Sequence, residues 1–143
     1  MNEYPKGIEV VCGVIVENQE NKVFLTKSKY WAEKYVLPGG LILAGETILN
    51  AAQRQIKHEL NLNVEPIEVF NFGELIDSKD FKRFAHYIYF NVYTKVIGGN
   101  IKLNQDKHFD SQWLSPQEAL NLNLAETFDL SLEKFIDYKN ATN

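Results

Sequence analysis

The stretch from Tyr35 to Leu62, YVLPGGLILAGETILNAAQRQIKHELNL, constrains this chain more than any other, because a glycine turn is followed at once by a helix with one polar face. Pro38 fixes one backbone angle and lacks an amide hydrogen, and Gly39 and Gly40 can adopt positive φ. Leu37 to Gly40 therefore reads as a sharp turn with approachable carbonyls that a ligand or metal could reach. After Gly45 the spacing becomes helical, with Leu49, Ala52, Ile56 and Leu60 recurring at three or four residues. Thr47 is placed to cap the first turn, and Asn61 suits a left-handed exit.

Gln55, His58 and Glu59 lie three and four residues apart and so share one face of that helix, while Glu46 and Arg54 sit at its entrance and middle. Gly40, Glu46, Arg54, Glu59 and Leu62 fall in the register of the Nudix box, and the segment resembles that of the MutT-like Nudix hydrolase superfamily. The resemblance implies an α/β Nudix fold, a mixed β-sheet sandwiched between helices, in which the box forms a loop, a helix and a loop. It implies hydrolysis of a nucleoside diphosphate linked to another moiety, such as a nucleotide sugar. It also implies Mg²⁺ or Mn²⁺ held by hard oxygen ligands, here the Gly39 carbonyl and Glu59, with Glu46 and Arg54 bracing the catalytic constellation.

Three box positions depart from the pattern: Gln55 and His58 stand where glutamates are expected, and Asn61 replaces the glycine. A box that keeps the arginine and the last glutamate looks like the variant found in GDP-mannose mannosyl hydrolases. FAHYIYFNVYT resembles their central strand with its His-Tyr pair, and His108 stands five residues before Trp113 in KHFDSQWLSPQEAL, as in their downstream segment. By that resemblance His108 is the general base for water, a role suited to an imidazole that titrates near neutrality. Lys107 stands where the relatives have a metal-coordinating glutamine, and Leu41 where they have an arginine; with His86 these make up the expected substrate-side residues. An ammonium cannot ligate a cation. Lys107 could neutralise phosphate directly and reduce dependence on metal, or it could be a solvated loop lysine, the commoner state of a lysine.

Each of these residues has a plainer reading. Glu46 and Arg54 can be a purely structural pair closing a turn, and that reading is favoured for both. A helix glutamate is most often solvent-exposed, but the register of Glu59 against Gly40 and Arg54 favours a ligand. His58 reads as a partly exposed polar residue, since imidazole suits softer metals than Mg²⁺. His86 lies in an alternating aromatic strand, where alternation alone does not say which face meets a cleft. Tyr30, Trp31 and Tyr35 could stack on a base, with core packing the better account of most of them. Glu74 and Asp77 could offer a loop carboxylate or be ordinary loop charges.

The rest of the chain sets bounds. Its 143 residues suffice for one domain with an adequate core, and no linker or repeat divides residues 1–143. The net charge of −4 is spread without a basic stripe, which argues against a nucleic-acid surface and leaves a small nucleotide as the expected partner. The single cysteine, Cys12, sits in the apolar run VVCGVIV and reads as a buried small hydrophobe. No stretch approaches the roughly 20 apolar residues of a membrane span, and the amino terminus lacks a signal pattern, so a cytoplasmic location is expected. A homodimer is plausible by the resemblance.

Strands are predicted at 8–16, 23–27, 64–72 and 84–93, with a shorter one ending at Trp113 and Leu114 and a hairpin turn at 18–21. Helices are predicted in the box, in SPQEALNL with Ser115 as cap and Pro116 in the first turn, and in the tail, where Phe128, Leu132, Phe135 and Ile136 make an apolar face. A hydrolase is the favoured expectation. The alternative is a Nudix-fold module that binds a nucleotide without turning it over, and an interaction scaffold ranks behind both.

Overall fold

The computed structural model describes residues 3–104 and 106–142. Strands β1 (Ile8–Glu17) and β2 (Val23–Ser28) form the first hairpin, a one-turn 3₁₀ segment spans Lys29–Trp31, and two short strands follow, β3 (Lys34–Val36) and β4 (Gly39–Leu41). Helix α1 (Ile48–Leu60) leads into the long strands β5 (Leu62–Ile76) and β6 (His86–Gly99). The chain finishes with β7 (His108–Leu114), a one-turn α2 (Pro116–Ala119) and α3 (Phe128–Thr142).

The seven strands make one mixed sheet in the order β3-β2-β1-β6-β5, with β4 also on β1 and β7 also on β2. Among the strand pairs of the described residues, β1 with β6 is the parallel one. β1 and β2 are in register at Glu17 and Val23 and then part company, β1 taking β4 as partner and β2 taking β3 and β7. That parting opens the sheet beside Gly39 and brings His108 opposite Ser28.

Strand alternation divides the core between the two faces. Cys12, Val14, Val16, Phe24 and Val92 pack with Ala52, Ile56 and Leu60 of α1. Ile15, Val23, Leu25 and Tyr93 pack with Ala119 of α2 and with Leu132 and Phe135 of α3. The expected α/β fold, a mixed sheet between helices, is the one observed. Full burial of residues such as Ile56 and Leu60 contributes about 1.5–3 kcal/mol each, which fixes α1 against the sheet. Cys12 is buried as expected, with its Sγ toward the Gly40 carbonyl at 3.6 Å.

The local signals at helix ends behave as anticipated. The Thr47 hydroxyl accepts from the Asn50 amide at 3.1 Å, Asn61 exits α1 at φ 59°, and Ser115 with Glu118 closes a capping box at α2. Asn18 to Asn21 forms the first hairpin turn, with Asn21 at φ 61°.

Two expectations need correction. The stretch Leu37 to Gly40 is not a free turn, because Gly39–Leu41 pairs with Val11, Cys12 and Gly13 as a strand. Gly39 sits at φ +148°, and a Cβ there would lie 1.9 Å from the Cys12 carbonyl oxygen, so glycine is required by the close approach of β4 to β1. β5 and β6 also outrun their predicted lengths. Register shifts at 63/64, 66–68 and 69–71, with Pro66 among them, break the alternation on the edge strand β5 and hide its continuity from the pattern.

Candidate active-site cleft

Glu59 is a carboxylate on the buried row of α1, in line with Ala52 and Ile56, and only 2% exposed. Burying an ionised carboxylate demands partners, and two cationic or imidazole side chains of the 107–108 segment meet it. Lys107 Nζ donates to Oε1 at 2.6 Å, and His108 Nε2 lies 3.0 Å from Oε2. The Gly39 amide reaches Oε2 at 3.4 Å. Burial alone would push the Glu59 carboxyl up, but the His108 hydrogen bond and the Lys107 charge outweigh it and hold the group below the usual carboxylate range.

The backbone fixes this meeting. The Lys102 amide donates to the Leu60 carbonyl at 2.8 Å and the Asn104 amide to the Glu59 carbonyl at 3.1 Å, tying residues 102–104 to the last turn of α1. The Asn104 carbonyl in turn accepts from the amides of Lys107 (3.1 Å) and His108 (3.0 Å). Lys107 Nζ then spans from Glu59 to the Gly39 carbonyl at 3.1 Å. His108 is 1% exposed, and its Nδ1 has no hydrogen-bond partner among the described residues. With Nε2 donating to an ionised Glu59, the neutral ring carries its free lone pair on Nδ1, an assignment made from the hydrogen-bond pattern.

Arg54 and Glu46 stand at the mouth of the cleft. Arg54 Nε and Nη2 meet the two Glu46 oxygens at 2.6 and 2.7 Å, and Nη2 also donates to the Leu41 carbonyl at 3.0 Å. Glu46 Oε1 accepts from the Leu43 amide at 2.9 Å, so the pair staples the 41–46 loop onto α1. The Arg54 guanidinium holds the Glu46 carboxyl down at about 2. Gln55 Nε2 donates to the same Leu41 carbonyl at 3.1 Å, and His58 is exposed.

Arg54, Gln55, His58 and the Glu59 cluster border one cleft of about 590 Å³, with Glu46 behind Arg54 and outside its lining. Gly39, Glu59, Lys107 and His108 lie at one end with Leu41, Gln55 and His58 near them. The opposite end is walled by Trp31, Phe81, Tyr87 and Tyr89, with Arg83 gripping Glu9 through two contacts of 3.0 Å. Burial and the nearby Glu9 charge push the Tyr87 hydroxyl up to about 12.

Of the residues expected from the sequence, the fold therefore gathers Gly39, Glu59, Lys107 and His108 into one cluster and places Glu46, Arg54 and Leu41 at its rim. His86 does not join them. Tyr87, Tyr89 and Asn91 are the β6 residues that face the cleft, and His86, out of phase with them, has its Nε2 3.7 Å from exposed Glu74 instead. Glu74 lies within β5 rather than in a loop, Asp77 just beyond it is bonded to the Tyr4 hydroxyl, and neither carboxylate lines the cleft. Trp31 and Tyr30 line it, while Tyr35 is buried and bonded to Asp110 at 2.8 Å. The sequence reading missed Glu9, Arg83 and the Tyr87/Tyr89 pair. A lone carboxylate in the otherwise apolar IEVVCGVIV and the two-residue spacing of the tyrosines were the available signals.

Nudix hydrolases generally use divalent metal ions, and the donors present here do not fit one. Glu59 is the sole carboxylate of α1, and both it and the Gly39 carbonyl are engaged by Lys107. The Gln55 amide group is turned to Leu41, and among the described residues no three His, Cys, Asp or Glu side chains could hold a metal. A hard cation needs about six oxygens.

Comparison with known proteins agrees with this architecture. The chain is 29% identical over 103 residues to mouse (Mus musculus) 8-oxo-dGDP phosphatase NUDT18, a match covering 71% of this chain and 29% of that protein. It thus spans under a third of that curated relative's length. It superimposes on the crystal structure of a MutT NUDIX hydrolase from Burkholderia pseudomallei with a TM-score of 0.76 at 22% identity, covering 89% of this chain and 97% of that one. The MutT protein from Methanosarcina mazei Go1 gives a TM-score of 0.75 at 16% identity, over 98% and 99% of the two chains. These structural likenesses concern the fold. Residues 8–137 match the NUDIX domain, and with the glycine strand, the braced loop and the carboxylate helix all in their places, the chain belongs to the NUDIX family.

Proposed function

We propose that residues 1–143 act as one Nudix domain that hydrolyses a nucleoside diphosphate linked to another moiety, such as a nucleotide sugar. One observation carries this reading: a single cleft joins a cation, carboxylate and imidazole cluster at Lys107, Glu59 and His108 to an aromatic wall at Trp31, Phe81 and Tyr87. The first end suits phosphate oxygens and the second a flat nucleobase. His108 is the candidate general base by the family resemblance, and Glu59 orients its ring through Nε2. Arg54 and Glu46 hold the 41–46 loop in shape around that end. The Mg²⁺ or Mn²⁺ of the family resemblance would act as a Lewis acid on the diphosphate, but no step is assigned to it because the donor set does not fit. Likeness to an 8-oxo-dGDP phosphatase supports a nucleoside diphosphate derivative as substrate. A cytoplasmic setting and a homodimer belong to the same reading; among the described residues no helix is long and apolar enough to cross a membrane.

A nucleotide-binding module without turnover is the second reading, favoured by the loss of carboxylates at Gln55 and His58. The test is incubation with GDP-mannose, ADP-ribose and 8-oxo-dGDP, with product analysis, on the wild type and on His108→Asn. Turnover that falls at least about a hundredfold in the variant supports the hydrolase with His108 as base. Free sugar plus nucleoside diphosphate would identify attack at carbon; a nucleoside monophosphate with a sugar phosphate, or with orthophosphate from 8-oxo-dGDP, would identify attack at phosphorus. Tight binding with no product would establish the module instead.

A further inference from the structure

The ammonium of Lys107 stands between the two oxygens that the family resemblance gives to a metal ion, Glu59 Oε1 at 2.6 Å and the Gly39 carbonyl at 3.1 Å. Its position does not depend on the ion pair alone. The Lys107 amide is held by the Asn104 carbonyl, the Asn104 amide by the Glu59 carbonyl, and the Lys107 carbonyl accepts from the Lys29 amide at 3.3 Å. An ammonium has three donors. Two are used on Glu59 and Gly39, and the side chain keeps 26% of its surface exposed in the cleft, so the third is left for a ligand.

The charge around it points the same way. The chain as a whole carries −4, yet Lys6, Arg54, Lys82, Arg83 and Lys107 line the cleft against only Glu9 and Glu59. Arg54 is matched by Glu46 and Arg83 by Glu9. Lys6 and Lys82 have no carboxylate partner among the described residues, and Lys82 lies 3.7 Å from the centre of the Tyr30 ring at the cleft wall. An acidic protein that gathers cations into one concavity favours a polyanionic ligand there. A divalent ion brought to the same place would meet one carboxylate already neutralised and a fixed ammonium repelling it.

We propose that Lys107 Nζ is the resident cation of this site and bonds a diphosphate oxygen of the ligand directly, so that the nucleotide binds without a divalent ion. This rests on the reading that the cleft takes a nucleoside diphosphate derivative. It differs from that reading in what it forbids, which is a requirement for metal in binding.

The experiment is calorimetric titration of ADP and ADP-ribose into the wild type, Lys107→Gln and Lys107→Arg, each in EDTA and in Mg²⁺, together with a titration of Mn²⁺ alone followed by its electron paramagnetic resonance signal. The expected result is nucleotide affinity in EDTA within about threefold of that in Mg²⁺, and no saturable Mn²⁺ binding by the wild type below millimolar concentrations. Lys107→Gln should weaken the nucleotide about ten- to a hundredfold, as loss of one charge-assisted contact does. Lys107→Arg, which keeps the charge and serves as the control should the glutamine variant fail to fold, should stay within about tenfold. Nucleotide binding that collapses in EDTA, or submillimolar Mn²⁺ binding by the wild type, would overturn the proposal and leave the hydrolase reading standing. Equal affinity in wild type and Lys107→Gln would also overturn it. Absence of nucleotide binding under every condition would overturn both.

Discussion

Removing the Lys107 charge should cost measurable stability, and the loss should depend on pH. In Lys107→Gln the Glu59 carboxylate stays 2% exposed, left with His108 at 3.0 Å and the longer Gly39 amide contact at 3.4 Å. Breaking a buried ion pair from one side costs about 3–5 kcal/mol. The figure here is smaller, because Lys107 retains 26% exposure and His108 remains as a donor, and we expect about 2 kcal/mol at pH 7. For a domain of this size that lowers Tm by roughly 7 °C. Glu59 has its carboxyl depressed in the folded protein, so its contribution is complete above the unfolded value of about 4.3 and fades as pH falls through the lower folded value. With Lys107 gone, burial is opposed only by the His108 bond and the carboxyl moves upward from its depressed position, so the variant loses less than the wild type as pH falls below the unfolded value. The gap between the two proteins should therefore narrow below about pH 4. Urea denaturation followed by circular dichroism between pH 7 and pH 3 measures both curves. A difference below about 0.5 kcal/mol at pH 7, or one that stays constant down to pH 3, would refute the assignment of Glu59 as an ion held by Lys107.

Gly39→Ala combines a left-handed φ with a Cβ 1.9 Å from a backbone oxygen of β1, so β4 must part from β1; a loss above about 3 kcal/mol in urea denaturation is expected, and a loss under about 1 kcal/mol would contradict the close approach. Arg54→Ala should let the Glu46 carboxyl rise from about 2 toward its ordinary value, read by NMR titration of the side-chain carbon, and should speed exchange of the Leu43 amide that Glu46 holds. Asn61→Ala puts a residue less tolerant of the left-handed region than asparagine at φ 59° and removes the bond from Nδ2 to the Asn100 carbonyl, for a loss of about 1–2 kcal/mol, whereas Asn61→Gly should recover the backbone share of it; equal losses in the two would show that the side-chain bond alone matters.

Much of the fold could be read from local signals. Thr47, Asn61 and Ser115 end helices by contacts within a few residues, and the three- and four-residue spacing of Leu49, Ala52, Ile56 and Leu60 marks the row of α1 that packs on the sheet. The box register also brought Glu46, Arg54 and Glu59 to attention before any coordinates. What stayed hidden depends on partners far along the chain. Pro38, Gly39 and Gly40 carry the composition of a turn, and only pairing with Cys12 and Gly13, more than twenty residues earlier, makes the glycines part of a strand. The solvated reading of Lys107 failed for a similar reason, since the carboxylate that draws it in lies 48 positions away. His86 and Tyr87 are neighbours with opposite outlooks, and the parallel register of β6 on β1 decides which of them sees the cleft. Glu9 and Arg83 meet across 74 positions and could not be paired by spacing.

Glu59 serves the molecule twice, its side chain receiving Lys107 and His108 while its main-chain carbonyl receives Asn104. Fraying of the last turn of α1 would therefore release the helix end, the 102–104 segment and the ligand-facing cation in a single event. Occupancy of the cleft and closure of that turn become one thermodynamic quantity, and a bound ligand should slow hydrogen exchange at the Asn104 and Lys107 amides even though it touches neither.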